Sequence, residues 1–139
     1  MKKSSSPALL AHYLKDLSLE LSQPPLKNPK KGEQELQFNL SVHHKPGAGD
    51  APDDVLLATR LVVWHTPTQT PILVADHAYL GMFHNEKEKN GALSKEALQS
   101  CAAVLYEKAM ESLKQHLEAV GHTPPLPKTL ENMEMAKNT

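Results

Sequence analysis

Part-way along this chain the spacing of apolar residues changes from two to three or four, and that change decides the class of fold. Leu36, Phe38, Leu40 and Val42 alternate with Gln37, Asn39, Ser41 and His43, the period of a strand with one wet face. Leu98, Cys101, Ala102, Leu105, Ala109, Leu113, Leu117 and Val120 instead recur at helical steps. Ser94 is placed as the N-cap of one long helix and Gly121 as its stop. Strands followed by helices predict an α+β domain with the helices packed on one side of the sheet.

Three further strands fit the same reading. Ala11, Tyr13, Leu17, Leu19 and Leu21 share one parity, interrupted by Lys15, while Leu14, Asp16, Ser18 and Glu20 share the other, which predicts a strand with one polar face. Val55 to His65 is apolar on both parities and is expected to be covered on both faces. Ile72 to Phe83 gives a fourth strand, in which Gly81 marks a bulge or a close backbone approach. Turn residues at 46–52 and 67–71 separate these runs, and short connections predict antiparallel pairing. Two proline-bearing stretches are different in kind. Gln23 to Gly32 holds Pro24, Pro25 and Pro29 among lysines and reads as a long connection. Pro124, Pro125 and Pro127 enforce an extended break, after which Thr129 starts a short second helix with Leu130 and Met133 on one side.

At 139 residues and 15.3 kDa the chain is the size of one domain. Its 15 basic and 16 acidic side chains leave a net charge of -1, so no global field favours nucleic acid or anionic lipid. No apolar run approaches the ~18 residues of a spanning helix. The stretch Pro7 to Ala11 is too short for a secretory signal, and the single Cys101 can form no internal disulfide; both predict a cytoplasmic protein. Only 4% of residues are aromatic, which leaves few large anchors for a monomer core, while apolar side chains exceed what one helical layer covers. Self-association is the expected remedy.

Catalytic patterns are missing from the sequence. There is no nucleophile elbow, P-loop or glycine-rich dinucleotide turn. His43 and His44 are adjacent and point to opposite faces of a strand, so they cannot both ligate one ion there without a bulge. Cys101 lies in the apolar stripe of the long helix and reads as a small buried hydrophobe. Asp16, Glu20 and Asp76 read as solvated charges before an acid pair. The expectation is therefore no catalytic residue, no metal and no cofactor. Two rivals remain: a small-molecule- or metal-binding α+β domain, with or without enzymatic activity, that uses the histidines, and an oligomeric adaptor that binds one folded partner.

Several segments are informative through their order. These are Tyr13-Leu-Lys-Asp-Leu-Ser-Leu-Glu20, the proline-rich crossover and the strand Leu36 to Val42. They continue with Ile72-Leu-Val-Ala-Asp-His-Ala-Tyr-Leu-Gly-Met-Phe83, Cys101-Ala-Ala-Val-Leu-Tyr-Glu-Lys-Ala-Met110 and the exit Gly121-His-Thr-Pro-Pro-Leu-Pro127. Each is degenerate alone, but in this order they resemble the bacterial export chaperone family SecB. The resemblance spans Ala11 to about Ala136, which implies a flexible segment 1–10, one SecB-like domain 11–136 and a polar tail 137–139.

The resemblance implies a four-stranded antiparallel sheet with a long helix and a short C-terminal helix on one side. It also implies an ATP-independent chaperone, a homotetramer built as a dimer of dimers, that holds unfolded client polypeptide in apolar grooves. Leu126, Leu130, Met133, Met135, Phe38 and Leu40 become client-binding candidates, because promiscuous binding favours adaptable aliphatic and thioether contacts. The family's acidic docking face for the export motor SecA falls on Asp16, Glu20, Val74 and Asp76, and Tyr13, Leu17, Cys101, Leu105 and Met110 are candidates for the oligomer interface. The crossover from Leu21 to Glu33 lacks the family's aromatic residues and the tail after Met135 is not its acidic extension. Such departures suit the SecB relatives of toxin–antitoxin–chaperone systems, whose client is an antitoxin. Export precursors and a cognate antitoxin are thus both expected client classes.

Overall fold

Every alternating run forms a strand in the structure, a computed structural model that describes residues 7–24, 30, 32–84, 94–122 and 124–127. The elements are β1 (Ala8–Leu21), β2 (Gln34–Lys45), β3 (Asp53–His65), β4 (Thr70–His84) and α1 (Lys95–Ala119). The strands form one antiparallel sheet in the order β1-β4-β3-β2. Residues 46–52 join β2 to β3 and a short turn at 66–69 joins β3 to β4, whereas the proline-bearing connection must carry the chain from one edge of the sheet to the other. Its two ends are fixed beside the β3–β4 turn: the Ser22 amide donates to the Ile72 carbonyl, and the Thr66 amide donates to the Glu33 carbonyl, both at 2.9 Å.

The long helix forms where its period and caps place it. Ser94 Oγ accepts from the Ala97 amide at 3.0 Å, satisfying one of the orphan donors of the first turn. At the other end Gly121 takes φ 85°, and the amides of Gly121 and His122 return to the carbonyls of Glu118 and Leu117, a Schellman stop. The stripe Cys101, Ala102, Leu105, Tyr106, Ala109, Leu113 and Leu117 is buried against one face of the sheet. At roughly 1.5–3 kcal/mol for each large side chain, this burial is the main attachment of the helix. It divides into two clusters. The first half of α1 packs on Val42, Val55, Leu57, Tyr79 and Phe83, while Leu113 and Leu117 pack on Leu61, Val63, Ile72, Leu73 and Ala75. Phe38 and Met110 border both. Gly81 lies beneath Leu105, and a β-carbon there would come within 2.7 Å of Leu105 Cδ1. Pairing runs through Gly81 without a shift, so of its two expected roles the close approach is the one observed.

The first strand departs from its expected parity. Register shifts between Leu9 and Ala11 and between Leu14 and Asp16 leave Leu10 and Lys15 as extra residues. Each inserted residue reverses the alternation. Leu14, opposite Tyr79, therefore joins Leu17 and Leu19 on the helix side, and Tyr13, opposite Leu80, turns outward with 48% of its surface exposed. The strand also begins at Ala8, inside the segment expected to be flexible. The expectation that β3 is covered on both faces is met only in part. Val55, Leu57, Thr59, Leu61 and Val63 are buried on the helix side, while on the other side Val62 is buried, Leu56 and Ala58 are half-buried and Arg60 is exposed. The short helix expected from Thr129 lies outside the described residues.

Candidate functional site

Beyond its Schellman stop the chain turns back along α1 rather than away from it. Prolines at 124, 125 and 127 keep this return segment extended, since proline fixes φ and cannot donate to a helix ladder. Two contacts hold it: the Tyr106 hydroxyl donates to the Pro127 carbonyl, and Leu126 packs on the cluster of Leu113 and Leu117. Burial raises the Tyr106 pKa, which keeps the phenol a donor. His122, buried at the turn, has its pKa lowered by desolvation, and its Nε2 has no hydrogen-bond partner among the described residues.

A groove of about 590 Å³ lies between the return segment and α1. Tyr106, Met110 and Leu117 supply an apolar floor from successive turns of the helix, and Pro124, Pro125, Leu126 and Pro127 form a wall. Glu107, Glu111, Glu118 and Lys114 line it too, so carboxylates outnumber cations. Apolar surface here can take apolar side chains of any shape that flexible Met110 and Leu126 can follow, which suits a sequence-tolerant ligand. Of the six client-binding candidates, Leu126 lines this groove. Phe38 borders the same apolar cluster from β2, whereas Leu40 is buried inside the core of the first half of α1. Leu130, Met133 and Met135 lie outside the described residues. Tyr106, Lys114 and His122 were not singled out from sequence. Their signal was present in Gly121 and the prolines, which mark a stop and a break but not the direction of return.

The acidic candidates are brought together. In the β1–β4 register Asp16 opposes Ala78, Ser18 opposes Asp76 and Glu20 opposes Val74, which puts Asp16, Glu20, Val74 and Asp76 on the sheet face away from α1. Arg60, opposite Asp76 on β3, stands 3.5 Å from its carboxylate and tempers the charge. Being exposed, this pair contributes little to stability.

The oligomer candidates are separated. Cys101 and Leu105 are consumed by the intrachain core, where Leu105 covers Gly81, so these two are corrected from interface to interior. Leu17 and Met110 are half-buried, and Tyr13 alone of the five is exposed. The large apolar side chains exposed in the single chain are instead Leu10, Tyr13 and Leu21 on the edge strand β1, and Val104 on α1. Burial, with Asp53 adding to it, pushes the Cys101 thiol up to about 12, which agrees with a small hydrophobe rather than a nucleophile. The adjacent histidines divide as strand geometry requires. His43 is exposed, and His44 is buried with its Nε2 2.9 Å from Asp53 Oδ2. Among the described residues no helix is long and apolar enough to cross a membrane.

No family model and no curated protein matches the chain by sequence. Among solved structures it is similar to the Mycobacterium tuberculosis SecB-like chaperone in complex with a ChAD peptide from the HigA1 antitoxin. The likeness has a TM-score of 0.63 at 14% identity and covers 88% of this chain and 90% of that one. With its four-stranded antiparallel sheet and one long helix, the chain therefore has a SecB-like α+β fold.

Proposed function

We propose that this chain is a holding chaperone, which keeps an unfolded or aggregation-prone polypeptide in solution without nucleotide and without covalent chemistry. The groove between α1 and its proline-bearing return segment carries the reading. It is apolar at its floor, adaptable at Met110 and Leu126, and set in a SecB-like fold. A similar fold has been solved with an antitoxin-derived peptide, which supports polypeptide as the occupant; the proposed client classes are a cognate antitoxin and export precursors. Leu130, Met133 and Met135 would extend the client surface from the end of the chain, and Phe38 would extend it from β2. The acidic face of Asp16, Glu20, Val74 and Asp76 is proposed as the docking surface for SecA or a comparable partner. The working assembly is proposed to be a cytoplasmic homotetramer, a dimer of dimers joined through the exposed apolar residues of β1 and through α1.

The decisive experiment is suppression of aggregation. A stoichiometric excess of the pure chain, without ATP, should abolish light scattering by an unfolded precursor or an aggregating antitoxin, and Leu126→Glu should remove most of that effect while the fold is retained. Undiminished scattering in the presence of the wild-type protein would end the holding reading. The volume of the groove also lies in the range of small-ligand sites, which favours as second reading a small-molecule-binding domain. A metabolite that raises the melting temperature in a saturable way, with no effect of the chain on aggregation, would select that reading instead.

A further inference from the structure

The two apolar clusters of the core are divided by a polar band. Thr59 of β3 and His77 of β4 are directly opposed in register on the helix side, with only 3% and 2% of their surfaces exposed. His77 Nε2 lies 3.0 Å from Ser112 Oγ on α1, and its ring stacks on Tyr79 with centroids 5.8 Å apart. The Tyr79 hydroxyl in turn lies 2.6 Å from His12 Nδ1 on β1. From α1, His116 faces the His77 ring at 6.5 Å while its Nδ1 donates to the Ser112 carbonyl. The band therefore spans three strands and the helix, just where the Leu113 and Leu117 cluster begins.

The band suits a neutral His77 and no other state. His77 Nδ1 and Thr59 Oγ1 each have no hydrogen-bond partner among the described residues. A second ring proton would need an acceptor at Nδ1 and a counter-charge. Around it stand Thr59 from β3, Tyr79 from β4, and Ser112 and His116 from α1. His12 of β1 and Glu111 of α1 act on Tyr79, and no ion pair reaches His77 among the described residues. An imidazolium buried there is desolvated and faces a like group, so the available relief is water.

We propose that this polar band is an acid-sensitive latch: a proton taken up at His77 releases the second half of α1 from β3 and β4 and uncovers the apolar face beneath. The uncovered surface is that of Leu61, Val63 and Leu73, which Phe38 and Leu126 already border. The latch does not depend on the holding reading, because it concerns the contact between helix and sheet in the chain by itself. Burial first, and then His116, lowers the His77 pKa to about 4 in the latched state, whereas a wetted ring returns towards its ordinary 6.5. The released state therefore binds the proton first as pH falls. The ratio of released to latched molecules rises roughly tenfold per pH unit between about 6.5 and 4.

The test uses the full chain, titrated from neutral pH to pH 4 with far-UV circular dichroism confirming that the helix persists. Fluorescence of the apolar dye ANS reads the uncovered face, and NMR reads the His77 imidazole together with the Leu113 and Leu117 methyls. The latch predicts a rise in dye binding on acidification that follows the tenfold rule, with methyl shifts moving in step with His77. In His77→Gln, which keeps a polar group towards Ser112 but takes up no proton, that rise disappears. A variant with the same pH profile as wild type would overturn the latch. So would a His77 that titrates near 6.5 in the wild-type protein while the two leucine methyls stay still, and this second measurement decides the matter if the variant does not fold.

Discussion

Asp53 is completely buried and yet well served, because two neighbours point donors at it. The His44 ring donates from Nε2 to Oδ2, and the Gly47 amide donates to Oδ1 at 3.0 Å, so one carboxylate ties β2 to the turn that leads into β3. Asp53→Ala would leave the buried His44 ring and the half-buried Gly47 amide without that acceptor and should cost about 2–4 kcal/mol in urea unfolding. Asp53→Asn, which keeps an acceptor, should cost distinctly less. Gly81 makes the opposite argument. Strands ordinarily accept alanine more readily than glycine, but here the added carbon meets Leu105 and, at 2.9 Å, Phe83 Cε1. Gly81→Ala should therefore destabilise by roughly 1–3 kcal/mol, and a neutral result would show that α1 shifts easily. His77 gives stability a pH dependence. Its folded pKa lies below the unfolded one, so the unfolded chain takes up the proton first and stability falls as pH drops through 6.5 towards 4. The loss from this residue is at most about 3 kcal/mol, readable as a falling denaturation midpoint that His77→Gln flattens. Alternation was enough to separate His43 from His44, but Asp53 as partner could not be read from a spacing of nine residues across an aperiodic turn.

Sequence period identified all four strands and α1, and it failed within β1. A bulge adds one residue without a compositional mark, and Leu10 and Lys15 look like any other strand residues. Everything between the two insertions changed face, which moved Tyr13 out and Leu14 in, while Asp16 and Glu20 kept each other's company because no insertion falls between them. The groove was half legible. Gly121 and the prolines marked where α1 ends, but the return of the chain depends on Tyr106 reaching Pro127, a contact that no local pattern records. The left-handed residue at the turn is the hinge of that arrangement. Gly121→Ala should cost about 1 kcal/mol by strain at φ 85°, and in aggregation assays it should weaken holding more than its stability loss explains, since the return segment is one wall of the groove. Holding that falls only in step with stability would mean that the wall is not part of the client site.

At the scale of the whole molecule, the single chain leaves Leu10 at 58% exposure and Tyr13 at 48% on an edge strand, an arrangement that invites pairing with another copy. Light scattering should give a tetramer mass at micromolar concentration, and replacing both residues by Ser should lower that mass without unfolding the chain. A wild-type mass equal to one 15.3 kDa chain would refute the assembly. Converting Asp16 and Glu20 to Lys should leave the melting temperature nearly unchanged and weaken motor or partner binding severalfold, because exposed charges act on encounter more than on folding. Unaltered binding would reassign the acidic face to solvation. The order of strands has one more consequence, and it concerns time. Ala8 finds its place opposite His84, so β1 leaves the ribosome before its only described neighbour has been made. At roughly 5–20 residues per second, that leaves several seconds in which Leu9, Leu14, Leu17 and Leu19 have no sheet to join. A protein proposed to shelter unfinished chains passes through the same exposure during its own synthesis.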